Sequence, residues 1–438
     1  MLSSLLLSAG IIIAVAAMPD SALKNVSEVL WSGPENRGVY LGSPSIIRCT
    51  NGDLLVTHDL FGSSVPSGPK TAYAFVSSDQ GQSWIAKGTI TPMYWSSLFS
   101  VAEDSAVYLL GTTNDGHPGP TQIVIAKSND CGTNWETQIL TDSTISYSTG
   151  PTPILVHGGR LWRAFELNVG PEWAAGYAAL VISCAMTADL MDPTSWTISG
   201  SLPFSSVRSL VPSQWTNPAL ASNFGWLEGN AVAPLNASDS GVNIVLRVNS
   251  LPAANKAALL YVPSASSTPV FQAFLEFPGG MSKFSVRKDS STGVFVTISN
   301  NIQDDSISFP PVCGSVLAPT HSVGPCSMGD LRNCVDGKLS CLWAHGIGRN
   351  NLTLAFSRDG RSWTVGPTVM SDDSGSPEWL RQIFTGFQYV DWQFDGEDII
   401  AAVRAAYRGA DCYHNSNRIL FQRIVQWKRF LPSELSFV

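Results

Sequence analysis

Charge is scarce in this chain. Asp, Glu, Lys and Arg together make up 14% of its 438 residues, the net charge is −8, and no run is rich in Lys or Arg. That excludes a nucleic-acid partner, because neutralising a phosphate backbone needs a basic patch. A P-loop, a dinucleotide fingerprint, a His-Glu-x-x-His pair and an EF-hand loop are all missing, so no cofactor is implied. Paired Cys-x-x-Cys knuckles are missing too, which argues against a zinc site. Long apolar runs are lacking beyond the first residues, where Leu5 to Ala17 ends in Ala14-Val15-Ala16-Ala17. Residues 1–22 read as a secretory signal peptide and a secreted protein is expected, the alternative being an uncleaved membrane anchor.

What the chain has instead is rings and turns. Its 14 Trp, 37 Gly and 27 Pro suit many short strands joined by tight turns and packed by aromatics, an all-β protein. Four of the eight cysteines, Cys313, Cys326, Cys334 and Cys341, fall in one Gly/Pro/Ser-rich stretch, an insertion of about residues 303–341. A loop of that length without its own core needs staples, and two disulfides are expected inside it. Asn25, Asn236 and Asn351 open glycosylation triplets.

One short pattern recurs. It runs Ser77-Ser78-Asp79-Gln80-Gly81-Gln82-Ser83-Trp84, then Ser128-Asn129-Asp130-Cys131-Gly132-Thr133-Asn134-Trp135, then the shortened Ser357-Arg358-Asp359-Gly360-Arg361-Ser362-Trp363. Its chemistry is that of a turn: the Asp accepts from the turn backbone, the Gly takes a positive φ, and the Trp fills an apolar gap. Asp79 and Asp130 are 51 residues apart, and a degenerate copy, Thr187-Ala188-Asp189 with Trp196, lies 59 further on. That is the period of a four-stranded propeller blade. The pattern resembles the Asp-box, the bacterial neuraminidase repeat of sialidases and related β-propellers. The resemblance implies one six-bladed propeller over residues 23–438, with the boxes structural.

Strands assigned by alternation give blade one Pro44 to Arg48, Asp53 to His58, Thr71 to Ser77 and a strand from Trp84. Blade five takes Phe284, Val294, a partner hidden by the insertion, and Leu352 to Phe356. The last blade takes Tyr389 to Phe394, Ile399 to Arg404 and Ile419 to Ile424, closed by Val29-Leu30. Starts of first strands and second-to-third loops then converge on one channel mouth. The polar residues read there are His58, Asp59, Trp95, Glu166, Glu228, Asn230, Arg247, Lys283, Tyr389, Asp391, Arg404 and His414. Trp95, Trp226 and Trp392 are the candidate sugar-stacking rings.

Two segments extend the resemblance to sialidases. Glu228-Gly229-Asn230-Ala231-Val232, followed by Ile244-Val245-Leu246-Arg247, looks like the segment in which a Glu polarises a nucleophilic Tyr and an Arg binds the substrate carboxylate. Phe387-Gln388-Tyr389-Val390-Asp391 sits where that family places the Tyr. The resemblance implies Tyr389 as nucleophile, Glu228 as its base, and an acid at Asp59 or Glu166. Where sialidases carry Arg-Ile-Pro for the first of three arginines, this chain reads Gly42-Ser43-Pro44, and Arg404 or Arg381 is the candidate cation in its stead. Three functions follow: a sialidase-like exo-glycosidase on acidic glycans, a lyase or hydrolase of uronic-acid glycans using His58, His414, Tyr389 and Arg247, or a glycan-binding propeller without turnover. Each takes a glycan or polysaccharide as partner, and a monomer is expected.

Overall fold

The computed structural model describes residues 25–101, 104–116, 120–215, 224–236, 238–250, 255–302, 348–376 and 378–435. The N-terminal segment read as a signal peptide and the four cysteines of the insertion lie outside them. Six antiparallel sheets form a six-bladed β-propeller, five four-stranded and blade three six-stranded. Blade one is Tyr40–Arg48, Leu54–Phe61, Ala72–Ser77 and Ile85–Ile90, and blade two is Tyr94–Ser100, Val107–Thr112, Ile123–Ser128 and Glu136–Ile139. Blade three is built on Arg160–Asn168 and Tyr177–Ala185, with short strands Tyr147–Ser148, Leu155–His157, Trp196–Ile198 and Leu202–Pro203 around them. Blade four is Gly225–Val232, Val242–Asn249, Lys256–Val262 and Val270–Glu276. In the last blade Val26–Trp31 pairs with Arg418–Ile424, outside Asp398–Ala406 and Gly386–Asp395, so the two ends of the chain share one blade and close the ring.

Blade five corrects the strand reading. It is Ser285–Lys288, Phe295–Ser299, Asn351–Ser357 and Thr364–Ser371, and Asn351–Ser357 pairs directly with Phe295–Ser299. The strand at Leu352 is therefore the third and not the fourth, no partner is hidden, and the insertion joins strands two and three.

The core is a set of blade-to-blade interfaces, because each twisted sheet buries both faces. Alternation along Leu54–Phe61 shows how: Leu55 packs with Leu98, Leu109 and Val124 of blade two, whereas Leu54 and Val56 pack with Ile400 and Ile419 of the last blade. Comparable apolar clusters fill the other four junctions. Cys49 and Cys131 add a disulfide between blades one and two. The three repeats build the same third-to-fourth-strand turn. In the first, Ser77 Oγ donates to Asp79 Oδ1 at 2.7 Å, Gly81 N–H donates to Ser77 Oγ at 2.8 Å, and Ser83 N–H donates to Asp79 Oδ1 at 2.9 Å. Gly81 has φ +92°, and any Cβ there would strike the Phe421 ring that packs on Trp84.

Candidate active site

Four inner strands carry one and the same kink. In blade one the register slips between Gly42 and Ser45, in blade two between Tyr94 and Ser97, in blade four between Leu227 and Asn230, and in the last blade between Gln388 and Asp391. Each is a β-bulge in which two residues oppose one. The first bulged residue has a positive φ every time: Ser43 34°, Trp95 46°, Glu228 55°, Tyr389 52°. Non-glycine residues enter that region at a cost, and at functional sites the surrounding fold enforces it. Two of these bulges bring the key pair together, the Tyr389 hydroxyl donating to Glu228 Oε1 at 2.6 Å.

The second strands contribute from one matching register place. Asp59, Thr112, Arg247 and Arg404 each pair with the residue just before a bulge. Arg247 Nη1 donates to Glu228 Oε2 at 2.8 Å, and its Nε donates to Met281 O at 2.8 Å. Arg404 lies between two rings, its guanidinium carbon 4.1 Å from the Phe61 centroid and 4.8 Å from that of Tyr389, while Nη2 donates to His414 O at 2.6 Å. A third arginine, Arg349, stands just before the Asn351–Ser357 strand and donates to Gln388 Oε1 at 2.6 Å. All three are buried and act electrostatically on Tyr389. Burial, with Glu228 beside it, pushes the Tyr389 phenol up, and the three cations oppose that shift. His414 faces the same three arginines and, through burial first, is held well below the ordinary histidine range.

Two further buried carboxyls lie nearby, Asp59 on the side of Arg404 and Glu166 beside Glu228. Asp59 Oδ2 accepts the Trp95 N–H at 2.9 Å, and burial pushes its carboxyl up to about 6 against the pull of Trp95, Ser43 and Arg404. Glu166 lies wholly buried under the blade-four bulge, where Oε1 accepts the Gly229 N–H at 2.9 Å. Burial, then proximity to Glu228, raises it to about 8. Arg163 does not pair with it; that guanidinium binds the carbonyls of Leu110, Trp95 and Gly150 and so holds the bulge of blade two.

Other residues read from the sequence hold the ring together. Asp391 Oδ2 takes Ser45 Oγ at 2.6 Å and Ile46 N–H at 3.2 Å, and Oδ1 meets Arg287 at 3.3 Å, joining the last blade to the first and to the fifth. Asn230 bridges to Phe284 O and Val286 N–H of blade five. Lys283 Nζ donates to Val390 O at 2.6 Å, next to the Tyr389 bulge. His58 is stacked on Tyr73 and Phe75, on the opposite side of its strand from Asp59, and burial lowers it to about 4. Trp226 and Trp392 are fully buried core rings, which leaves Trp95, half-buried against Tyr94, as the one of the three that reaches the surface. Arg381 sits on the helix Glu378–Phe384, paired with Glu378 at 2.6 Å, and does not join the cluster. Arg349 and the exposed Trp173, which lies over Arg247, were not singled out in the sequence. Among the described residues no group of three or more His, Cys, Asp or Glu side chains is arranged to hold a metal.

No protein-family model matches the chain, and no curated protein matches it. Solved structures do. The α-L-arabinanase of Penicillium chrysogenum in complex with arabinobiose superposes with a TM-score of 0.54 at 13% identity, over 94% of this chain and 100% of that one. An intramolecular trans-sialidase from Ruminococcus gnavus gives 0.52 at 11% identity, over 93% and 98%. The α-L-arabinofuranosidase of Fusarium graminearum gives 0.52 at 9% identity, over 94% and 100%. At such identities the likeness is one of architecture, and the chain has the six-bladed propeller fold of these sialidase-type and arabinanase-type enzymes.

Proposed function

We propose that the chain is a retaining exo-glycosidase acting on glycans that end in a sugar acid of the sialic acid type. The observation that carries this is the 2.6 Å hydrogen bond from Tyr389 to Glu228, ringed by Arg247, Arg349 and Arg404. A free phenol, with a pKa of about 10, attacks poorly, and a carboxylate in hydrogen-bond contact takes its proton as the bond to carbon forms. A tyrosine suits an anomeric carbon that already bears a carboxylate, because a neutral nucleophile avoids charge repulsion. Three buried cations beside that oxygen suit the carboxylate itself, which planar guanidinium groups bind in pairs of hydrogen bonds.

The proposed reaction runs in two steps. Tyr389 Oη attacks the anomeric carbon and its proton passes to Glu228 Oε1. Asp59, with its raised pKa, gives its proton to the departing glycosidic oxygen. The glycosyl-tyrosine is then opened by water, which loses its proton to the Asp59 carboxylate, and the phenol regains its proton from Glu228. The uronic-acid reading has less support, since it drew on His58, which packs inside blade one. The apolar leader and the Cys49–Cys131 disulfide support an oxidising, extracellular setting.

Turnover of a fluorogenic sialoside checks the proposal. Glu228→Gln and Tyr389→Phe are each expected to lower kcat/KM by about 100-fold or more, on the scale of losing a general base or a nucleophile, with the fold intact. A parent protein that turns over no sialoside at all would overturn it.

A further inference from the structure

Blade three hangs an aromatic ring over the arginine that holds Glu228. Trp173 is 44% exposed, and the Arg247 guanidinium carbon lies 5.7 Å from its ring centroid. The half-exposed indole thus offers an apolar face beside the buried Arg247–Glu228 ion pair. Its loop, residues 169–176, is firmly built. Val169 N–H donates to Gly176 O and Gly176 N–H to Glu172 O, both at 2.8 Å, and Ala175 N–H donates to Trp173 O at 2.7 Å. Ala174 takes a φ of 62°, and its backbone lies so close to Gly225 that a Cβ on Gly225 would stand 2.2 Å from the Ala174 carbonyl carbon. Gly225 opens the strand that carries Glu228, so the loop and the reacting pair share one frame.

We propose that Trp173 is the stacking wall for the glycosyl ring that the arginines hold, its indole lying against the C–H face of that ring. The inference rests on the reading of Tyr389, Glu228 and the arginines given above. It also assigns a side. Asp59, which serves the leaving oxygen, is in blade one, whereas Trp173 is in blade three over Arg247, the arginine that holds Glu228. The wall therefore meets the glycone, the ring that becomes attached to Tyr389, and not the departing sugar. A sugar's C–H face against an aromatic ring, with a few polar groups fixing its orientation, is the usual division of labour in such pockets.

The experiment is calorimetric titration of free N-acetylneuraminic acid, and separately of arabinobiose, into the full chain and its Trp173→Ala and Trp173→Phe variants, each checked for an unchanged melting curve. The acid's Kd is expected to rise about tenfold in Trp173→Ala and less than threefold in Trp173→Phe, the scale of one good aromatic contact. An equal Kd in all three proteins overturns the wall and leaves the proposed function standing. Binding of arabinobiose alone, weakened by Trp173→Ala, overturns the sialic acid reading and keeps the wall. Binding of neither sugar by the parent overturns both. The glycone assignment is read from KM: Trp173→Ala is expected to raise it by the same factor for a fluorogenic sialoside and for sialyllactose. A rise confined to one of them overturns that assignment.

Discussion

A side-chain carbon on Gly42 would stand 2.3 Å from Asp59 Oδ1, its cross-strand partner in blade one. The place that the resemblance matches to the first sialidase arginine is thus closed off by a carboxyl from the facing strand. Arg404 brings its charge in from the last blade, at the register place that Asp59 occupies in blade one. Gly42→Ala is expected to displace Asp59, costing about 1–3 kcal/mol of stability as an overpacked core does and lowering kcat/KM more than tenfold. Adding Asp59→Gly should restore the melting temperature and not the activity. Unchanged activity in Gly42→Ala would remove Asp59 from the chemistry.

The arginines separate by position. Arg349→Ala is expected to raise KM for a sialoside by about tenfold or more, since a charge-assisted contact to a carboxylate is worth roughly 1.5–3 kcal/mol. Arg381→Ala should leave KM and kcat as they are, because Arg381 is engaged with Glu378 on a separate helix. Steady-state kinetics on the two variants decides.

Asp59 sets a pH limb. Its carboxyl is raised to about 6 by burial, and in the proposed mechanism it must be protonated to aid departure of the leaving group. For a substrate with a poor leaving group, kcat/KM is expected to fall about tenfold per pH unit above that value, as a single essential acid requires. Asp59→Asn should abolish the limb, and an aryl glycoside should show less of it.

Glu166 sets a stability slope. Its pKa is about 8 in the fold against 4.5 as the reference, so the folded state holds a proton that the unfolded chain has lost between those values. Its contribution is fully present below pH 4.5 and is lost as pH rises through 8. Glu166→Gln keeps an acceptor for Gly229 N–H and is expected to flatten the decline of melting temperature across that window. An unaltered slope would mean that Glu166 is ionised in the fold.

Asp391 holds the closure of the ring. Asp391→Ala would strand the Ser45 hydroxyl, the Ile46 N–H and the Arg287 guanidinium, all brought to one buried carboxyl. A loss of about 3–5 kcal/mol in denaturant unfolding is expected, the cost of breaking a buried pair from one side. A loss of activity without that loss of stability would place Asp391 in the chemistry instead.

Much of this was legible in the chain because it is periodic. The boxes set the blade period, the resemblance they carry implied six blades, and the Glu-Gly-Asn and Tyr-Val-Asp segments marked the two bulges that meet. Arg349 escaped because the insertion hides the second-to-third-strand connection of blade five, and without that connection the strand after it takes the wrong number. His58 and Asp59 show a finer limit. Adjacent residues on a strand point to opposite faces, so only one of them can enter the channel, and choosing between them needs the parity set by Leu54 and Leu55. Trp173 sits in a turn without period, and only its height above Arg247 draws attention to it. Asn230 and Asp391 follow directly on their bulges, and a polar side chain there carries no sign in the sequence that its partner is the next blade.

The recurring kink has an evolutionary corollary. Ser43, Trp95, Glu228 and Tyr389 occupy equivalent sockets, each shaped by the backbone and not by the side chain it presents. A lineage built on this scaffold can exchange the tool in any one socket by a single codon and leave the mounting untouched. New substrates then become accessible by mutation at four addresses, with the hydrophobic seams between blades spared from change.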